Sequence, residues 1–314
     1  MNFSSLLSEL DVLHDCTFCP RNCHANRFSQ KLGYCKTGTG FNISSICIHR
    51  GEEPVISGFK GICNIFFSHC NLQCSFCQNH QISDNLINTT SFALSLEAVT
   101  SQIIRILDQG INIVGFVSPS HMIPQMKAII RAVKSLGYEP TWVYNTNGYD
   151  TVETLRDLEE VIDVYLPDLK YMDSTLSARL SDAADYPEVA GAALKEMLRQ
   201  KGTTLRINDD GYAESGLLIR HLVLPGYIQN SIDVLKFIAE ELSPLVHVGL
   251  MSQYYPANSV CSEKELSRSL TKKEYNRVVE VMDEFGFSRG FIQELESFNQ
   301  YRPDFDKNHP FEQD

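Results

Sequence analysis

Residues 70–77 read Cys70-Asn-Leu-Gln-Cys74-Ser-Phe-Cys77, so three cysteines are spaced x3 and x2 within one short loop. Thiolates at this spacing can each bind a different iron of a cubane iron–sulfur cluster. No fourth cysteine continues the run, whereas the cysteine runs of ordinary electron-carrying clusters supply four ligands. One iron would therefore lack a protein ligand, and it could chelate a small molecule through an amine and a carboxylate.

A zinc site is the alternative for these cysteines. Zinc in proteins normally takes four tetrahedral ligands, and His69 and His80 lie close by in the sequence. The loop directly follows the strand-like run Ile65-Phe66-Phe67, and this arrangement favours the cluster over the zinc site.

The composition restricts the class of protein. The chain has 314 residues, of which 43% are hydrophobic and 21% charged, the proportions of a globular protein. A net charge of −12 without a Lys/Arg block argues against a nucleic-acid partner. No apolar run approaches the roughly 20 residues of a membrane helix, and the N-terminus lacks a secretion-signal pattern. Ten cysteines then indicate metal ligands rather than disulfides, and we expect a cytoplasmic protein.

Strand-like and helical patterns alternate along most of the chain, which predicts parallel strands joined by right-handed crossovers. The predicted strands are residues 65–67, 112–118, 141–145, 162–166, 217–224 and 246–251. The predicted helices are residues 96–108, 123–136, 152–160, 189–200, 232–242 and 272–285. Six strand–helix units are too few for a closed eight-stranded barrel, so the expected fold is α/β, a partial (β/α)6 barrel.

We predict three parts: an irregular, cysteine-rich segment over residues 1–60, the barrel over 61–290, and a polar tail over 291–314. The first part holds four thiols at compact spacing, Cys16, Cys19, Cys23 and Cys35, enough to close a metal site. Tetrathiolate sites suit zinc and iron–sulfur clusters about equally. The spacing matches neither common ferredoxin pattern, so zinc, a second cluster and unliganded thiols all stay open.

The loop spacing, with Phe76 just before the last cysteine, resembles the signature of the radical S-adenosylmethionine (SAM) enzymes. Almost the whole chain resembles one branch of them, the pyruvate formate-lyase activating-like enzymes. The segments that carry this second resemblance are His49-Arg-Gly-Glu-Glu-Pro54, Asn64-Ile-Phe-Phe67, Cys77-Gln-Asn79, Tyr144-Asn-Thr-Asn-Gly-Tyr149, Tyr165-Leu-Pro-Asp-Leu-Lys170, Arg220-His-Leu-Val-Leu-Pro-Gly226 and the four N-terminal cysteines.

The resemblance implies a radical SAM barrel in which Cys70, Cys74 and Cys77 hold a 4Fe–4S cluster whose open iron binds SAM. An electron from a donor such as flavodoxin or ferredoxin would cleave SAM to methionine and a 5′-deoxyadenosyl radical. In the activating enzymes that radical takes a hydrogen atom from a glycine of a glycyl-radical enzyme. A maturase acting on a peptide, cofactor or small metabolite is the alternative. A purely structural cluster is a third reading, against which the open iron argues.

The resemblance also gives roles to residues at the strand ends, where the carboxyl ends of parallel strands meet. Asp168 and Lys170 match an Asp-x-Lys that helps to bind SAM, and Arg220 matches an arginine that touches the SAM carboxylate. The other candidates for binding SAM are Phe76, Asn79, Ser118, Ser120, His121, Asn145, Asn147 and Gln253.

One motif of the activating enzymes is missing from its usual place. They carry Gly-Gly-Glu-Pro after the second strand, where this chain has Gly115-Phe-Val-Ser-Pro-Ser-His121. Gly51-Glu-Glu-Pro54 resembles that motif, but it precedes the cysteine loop and cannot lie on the second strand.

Overall fold

The computed structural model describes residues 3–29, 31–89, 92–257, 263–295, 302–307 and 309–311. Its strands are β1 (Phe41–His49), β2 (Ile62–Phe67), β3 (Ala93–Leu94), β4 (Ile113–Val117), β5 (Thr141–Thr146), β6 (Val164–Pro167), β7 (Arg206–Ile207), β8 (Ala213–Leu222), β9 (His247–Met251) and β10 (Gly290–Ile292). They form one sheet in the order β10-β9-β8-β6-β5-β4-β2-β1-β3, and β7 pairs with β8. All neighbours from β2 to β10 along this order are parallel, while β1 is antiparallel to β2.

The helices that connect these strands are α1 (Pro54–Ser57), α2 (His80–Ser83), α3 (Leu96–Leu107), α4 (Ile123–Ser135), α5 (Val152–Asp157), α6 (Ser174–Ser181), α7 (Tyr186–Lys201), α8 (Ile228–Phe237) and α9 (Lys272–Glu284). Several begin at a side-chain cap. Thr271 and Glu274 form a capping box at α9, and the Ser95 side chain accepts from the Ala98 N–H at α3. None of the helices in the described ranges is long and apolar enough to cross a membrane.

The core lies on both faces of the parallel strands. Every residue of β2 and β4 is buried, as expected for strands covered on one face by helices and on the other by the barrel interior. Met126, Ile129 and Val133 of α4 belong to this core, and their spacing of three and four residues places them on one face of the helix.

The α/β class and the partial barrel are confirmed, and each of the six predicted strands is present. The prediction that residues 1–60 are irregular is wrong for Phe3–His14, which forms a 3-10 helix, and for 41–49, where β1 extends the sheet beside β2. Its two adjacent serines, and a register shift between Ile43 and Ser45, interrupt the apolar alternation that would have revealed it. The three-part division of the chain stays a prediction, and residues 296–301, 308 and 312–314 of the predicted tail lie outside the described residues.

A substitution at Gly115 of β4 tests how tightly the barrel interior is packed. A Cβ at this position would overlap the Asn64 side-chain oxygen and lie 2.9 Å from Ile62 Cδ1. We expect Gly115→Ala to lower the free energy of unfolding by about 1–3 kcal/mol, the range for overpacking a filled interior. Gly38→Ala is the control, because its Cβ would meet only the Arg27 carbonyl at 3.6 Å. Urea unfolding checks both variants, and equal midpoints would contradict the close packing at Gly115.

Candidate active site

The loop that carries Cys70, Cys74 and Cys77 is held by backbone contacts on both sides. Asn85 accepts a hydrogen bond from the Cys70 N–H at 3.0 Å and donates one to the Cys70 carbonyl at 3.0 Å. The Ser75 N–H donates to the Leu180 carbonyl at 2.8 Å. The loop is therefore fixed relative to the ends of β2 and α6.

Each of the three sulfur atoms accepts hydrogen bonds from the protein. Cys70 Sγ accepts from Asn147 Nδ2 at 3.3 Å and from the Leu72 N–H at 3.4 Å. Ser181 Oγ lies 3.0 Å from Cys74 Sγ, and Ser83 Oγ lies 3.1 Å from Cys77 Sγ. Hydrogen bonds of this kind stabilise thiolates and tune iron–sulfur clusters, so the donor set fits a cluster held by three thiolates.

Burial makes the free thiols reluctant to ionise. It raises the pKa of Cys70 to about 12, and that of Cys74 to about 11 although Lys170 nearby lowers it. Iron binds the thiolate form, so cluster assembly must displace protons from these sulfurs.

The two histidines beside the loop are turned to backbone carbonyls. His69 Nε2 lies 3.2 Å from the Ile87 carbonyl, and His80 Nδ1 lies 3.2 Å from the Cys77 carbonyl. No group of three or more His, Cys, Asp or Glu side chains in the described ranges could hold a single metal ion. The contacts of these imidazoles therefore give no support to the zinc alternative.

A cavity of about 520 Å³ opens beside the three cysteines, within the size range of small-molecule sites. Nine of the eleven predicted SAM contacts line it: Phe76, Asn79, Ser118, Asn145, Asn147, Asp168, Lys170, Arg220 and Gln253. Their assignment to SAM stays a prediction, but the structure brings them to one place.

Ser120 and His121 lie elsewhere. Both are buried behind the cavity wall, where Ser120 Oγ is 3.1 Å from Thr146 Oγ1 and His121 Nε2 is 2.9 Å from the Ser68 carbonyl. Burial lowers the pKa of His121 to about 3, so its imidazole is neutral. These contacts join the turn after β4 to the backbone just before the cysteine loop and to the end of β5.

A network of charged side chains extends along the cavity wall, from the cysteines to the inner end of the cavity. Lys170 Nζ lies 2.6 Å from Asp168 Oδ2, and Arg220 Nε donates to Asp168 Oδ1 at 3.1 Å. Arg220 Nη1 also forms an ion pair with Glu52 Oε2 at 3.0 Å, and Nη2 donates to Asn145 Oδ1 at 2.6 Å. Burial alone would raise the pKa of Asp168, but Lys170 and Arg220 hold it below its usual range.

Glu52, Glu53 and His49 line the cavity, and the sequence analysis did not identify them as site residues. His49 ends β1, and the segment that follows brings the two glutamates to the cavity, where Glu52 Oε1 also accepts from Asn64 Nδ2 at 2.9 Å. One signal for them was available in the sequence. Arg220 sits in an apolar strand and needs an anion, and Glu52-Glu53 offers two carboxylates outside the predicted barrel.

The N-terminal segment docks above the cysteine loop. Arg21 Nε donates to the Asn71 carbonyl at 2.8 Å, and its guanidinium stacks 3.7 Å from the centre of the Tyr34 ring. The buried Arg27 donates from Nη1 to the His121 carbonyl at 2.8 Å. Two arginines thus attach this segment to the cysteine loop and to the turn after β4.

Cys16, Cys19 and Cys35 are buried in that segment, while Cys23 is partly exposed. Cys35 Sγ lies 2.9 Å from Thr37 Oγ1 and 3.5 Å from Arg27 Nη2, and Cys23 Sγ accepts from the Tyr34 N–H at 3.3 Å. Burial raises the pKa of Cys19 to about 12. The described residues do not gather these four thiols into a group that could hold a metal ion, so a metal there stays a prediction that requires the sulfurs to move together.

Part of the tail forms a wall of the cavity. Pro303 and Phe311 line it together with Phe291 of β10. The Phe311 ring centre lies 4.0 Å from that of His49 and 5.5 Å from that of Phe66. The tail therefore covers the side of the barrel on which the sheet does not close.

Comparison with known families agrees with this geometry. Residues 64–207 match the family model of the Radical SAM superfamily. The chain contains a radical SAM domain. The match begins in β2 and includes all three cysteines of the loop, and superfamily membership implies an enzyme that uses a 4Fe–4S cluster and SAM.

Individual proteins that this chain resembles are distant. An uncharacterised protein of Methanocaldococcus jannaschii is 27% identical over 282 residues, covering 88% of this chain and 76% of the relative. HydG, a maturase of the FeFe-hydrogenase, has a TM-score of 0.50 at 13% identity over 74% of this chain and 52% of its own. SuiB of Streptococcus suis, bound to its precursor peptide SuiA, has a TM-score of 0.49 at 16% identity over 74% and 48%. The chain spans about half the length of these two structures. The likeness to HydG supports only the assignment of the fold, not a function.

The ion pairs of Arg220 lead to a test of stability. Replacing Arg220 by Met leaves Glu52 and Asp168 without their shared cation, so we expect a loss of about 3–5 kcal/mol. Arg179→Met is the control, because the pair of Arg179 with Glu263 is exposed and contributes about 1 kcal/mol or less. Urea unfolding of the metal-free protein measures both. If Arg220→Met cost no more than Arg179→Met, the buried network would not stabilise the fold.

Proposed function

We propose that this protein cleaves SAM reductively and uses the resulting radical to take a hydrogen atom from a substrate held in the cavity. The observation that carries the proposal is the three-cysteine loop, with each sulfur hydrogen-bonded, opening onto a cavity lined by polar strand-end residues. When bound, the cluster and SAM supply the 5′-deoxyadenosyl radical, and the electron would come from a donor such as flavodoxin or ferredoxin.

The residues of the chain would position the cofactor and restrict access to it. The thiolates of Cys70, Cys74 and Cys77 would hold the cluster. Asn147, Lys170 and Asp168 lie on the wall beside them, where polar groups can orient the methionine part of SAM. The docked N-terminal segment and the tail would limit the entry of water, which protects a reactive intermediate.

For the substrate, we propose a protein glycine, as in the activating enzymes that the chain resembles. The unclosed side of the barrel supports this reading, because an extended loop of another protein could enter there once the tail moves. A peptide, cofactor or small metabolite is the second candidate. The observation in its favour is that Pro303 and Phe311 fill part of that opening, leaving a cavity of small-molecule size.

The cleavage reaction tests the common part of both candidates. Protein reconstituted with iron and sulfide without oxygen, then reduced in the presence of SAM, should release 5′-deoxyadenosine. Cys74→Ala should abolish this, because no neighbouring group can supply the missing thiolate. Cys63→Ala is the control, a buried thiol that is not among the cavity-lining residues. Parent-rate cleavage by Cys74→Ala, or no cleavage by the parent protein, would refute the proposal.

A second experiment separates the two substrate candidates. The reduced protein is incubated with a glycyl-radical enzyme, and the glycyl radical is sought by electron paramagnetic resonance. A radical signal that requires SAM and Cys74 would support the activating role. Cleavage of SAM without any such signal would favour the second candidate.

We further propose that Cys16, Cys19, Cys23 and Cys35 bind a metal centre that shapes the segment over the cavity. Their burial and the sulfur contacts of Cys23 and Cys35 support this site. The site should survive when Cys70, Cys74 and Cys77 are all replaced by Ala, because the two groups share no ligand. Metal analysis of that triple variant should find about one zinc or about four irons per chain. Additional replacement of Cys19 should remove that metal, and finding neither metal would overturn the second site.

A further inference from the structure

The inner end of the cavity carries polar atoms that the described residues do not satisfy. Glu53 and His49 line the cavity there, and Asn64 lies behind Glu52, to which its side chain donates. Glu53 Oε2, His49 Nδ1 and Asn64 Oδ1 are all buried without a hydrogen-bond partner among these residues. The Asn64 oxygen accepts hydrogen bonds and cannot donate them. The same holds for the Glu53 oxygen when its carboxyl is ionised. A buried acceptor without a donor costs free energy, so its retention at a cavity indicates a ligand that donates.

Two glycines leave space for the side chains of Glu53 and Asn64. Gly249 of β9 and Gly115 of β4 both lie within strands and have ordinary extended backbones. A Cβ on Gly249 would lie 2.9 Å from Glu53 Oε1, and one on Gly115 would overlap Asn64 Oδ1. Neither glycine is needed for a turn, so each serves to admit a polar side chain into the barrel.

The charges of the cavity do not balance. Lys170 and Arg220 are matched by Asp168 and Glu52, through contacts of 2.6–3.1 Å. Glu53 is the fifth charged residue on the cavity wall, and it forms no ion pair with another residue of the described ranges. Burial raises the pKa of Glu53 to about 7, although Arg220 lowers it and Glu52 raises it further. At neutral pH the protein thus holds a partly ionised carboxyl at the inner end of its site.

We infer that Glu53 binds a cationic, hydrogen-bond-donating group of the substrate, an amine or a guanidine, at the inner end of the cavity. The inference rests on the proposed function and names its substrate class. A cation of this kind supplies the donor that Glu53 lacks, and charge-assisted hydrogen bonds are the strong ones in a partly dehydrated site. The sulfonium of SAM has no N–H, and the α-amine of SAM is the group expected on the open iron beside the cysteines, so the substrate is the proposed source of this cation.

Small cations and their neutral counterparts test the inference without any radical chemistry. The probes are butylamine and methylguanidine, matched by butan-1-ol and methylurea. Each is titrated into reconstituted, SAM-loaded, unreduced protein, and the dissociation constant is obtained from the rise in unfolding temperature. We expect both cations to bind and the neutral probes to bind at least roughly tenfold more weakly.

Glu53→Gln should lose this preference, with cation affinity falling roughly tenfold or more to that of the neutral probes. Glu97→Gln is the control, because Glu97 is exposed at the start of α3. Equal binding of cations and neutral probes by the parent protein would overturn the inference. So would cation binding that persists in Glu53→Gln, or a comparable loss of SAM affinity, which would place Glu53 in the SAM site.

Stability distinguishes this ligand role from a structural one. Glu53→Gln removes a buried carboxylate without a partner, so its unfolding temperature without probes should equal or exceed that of the parent. Glu52→Gln breaks the contact with Arg220 and should unfold at a lower temperature. If Glu53→Gln were destabilised as strongly as Glu52→Gln, Glu53 would be a structural ion-pair partner instead. Failure of SAM cleavage with cation binding intact would refute the proposed function and leave this site standing.

Discussion

A permanent positive charge inside a barrel must be surrounded by anions, and the guanidinium of Arg220 imposes that requirement here. Its side chain is only 12% exposed, and it contacts Asp168 at the end of β6 and Glu52 from the segment after β1. Asn145 at the end of β5 completes the set. Four segments that are distant in sequence are thereby fixed relative to one another. The shape of the cavity depends on these fixed positions.

Part of this site could be predicted from the sequence. The parallel strands were predictable because their apolar runs are distinct, and strand ends of parallel sheets lie together by geometry. Asp168, Lys170 and Arg220 could therefore be placed in one site. The anion expected at Arg220 was the carboxylate of SAM, whereas the structure supplies Glu52 and Asp168 themselves. A contact between Arg220 and SAM stays a prediction.

Other features could not be predicted because they depend on tertiary contacts. β1 carries two adjacent serines within its strand and pairs against the direction of the remaining sheet, so neither periodicity nor the crossover rule identifies it. Glu52 and Glu53 enter the site because the segment that follows β1 brings them to the cavity. Ser120 and His121 were expected to face the cofactor, but a 3-10 turn after β4 directs both into the packed interior.

The tail has a consequence for how the protein comes to be active. The ring of Phe311 lies against His49 and Phe66, so residues from opposite ends of the described chain form one wall. Contacts between such distant residues close a very long loop, and they form after the local strand and helix pairings. The contacts described for this wall are aromatic rings and hydrogen bonds of Gln81 rather than strand or helix pairings, and segments held in this way open locally at low cost. The barrel can therefore be fully folded while its catalytic chamber is still open to solvent, and folding and enclosure of the site are separate events.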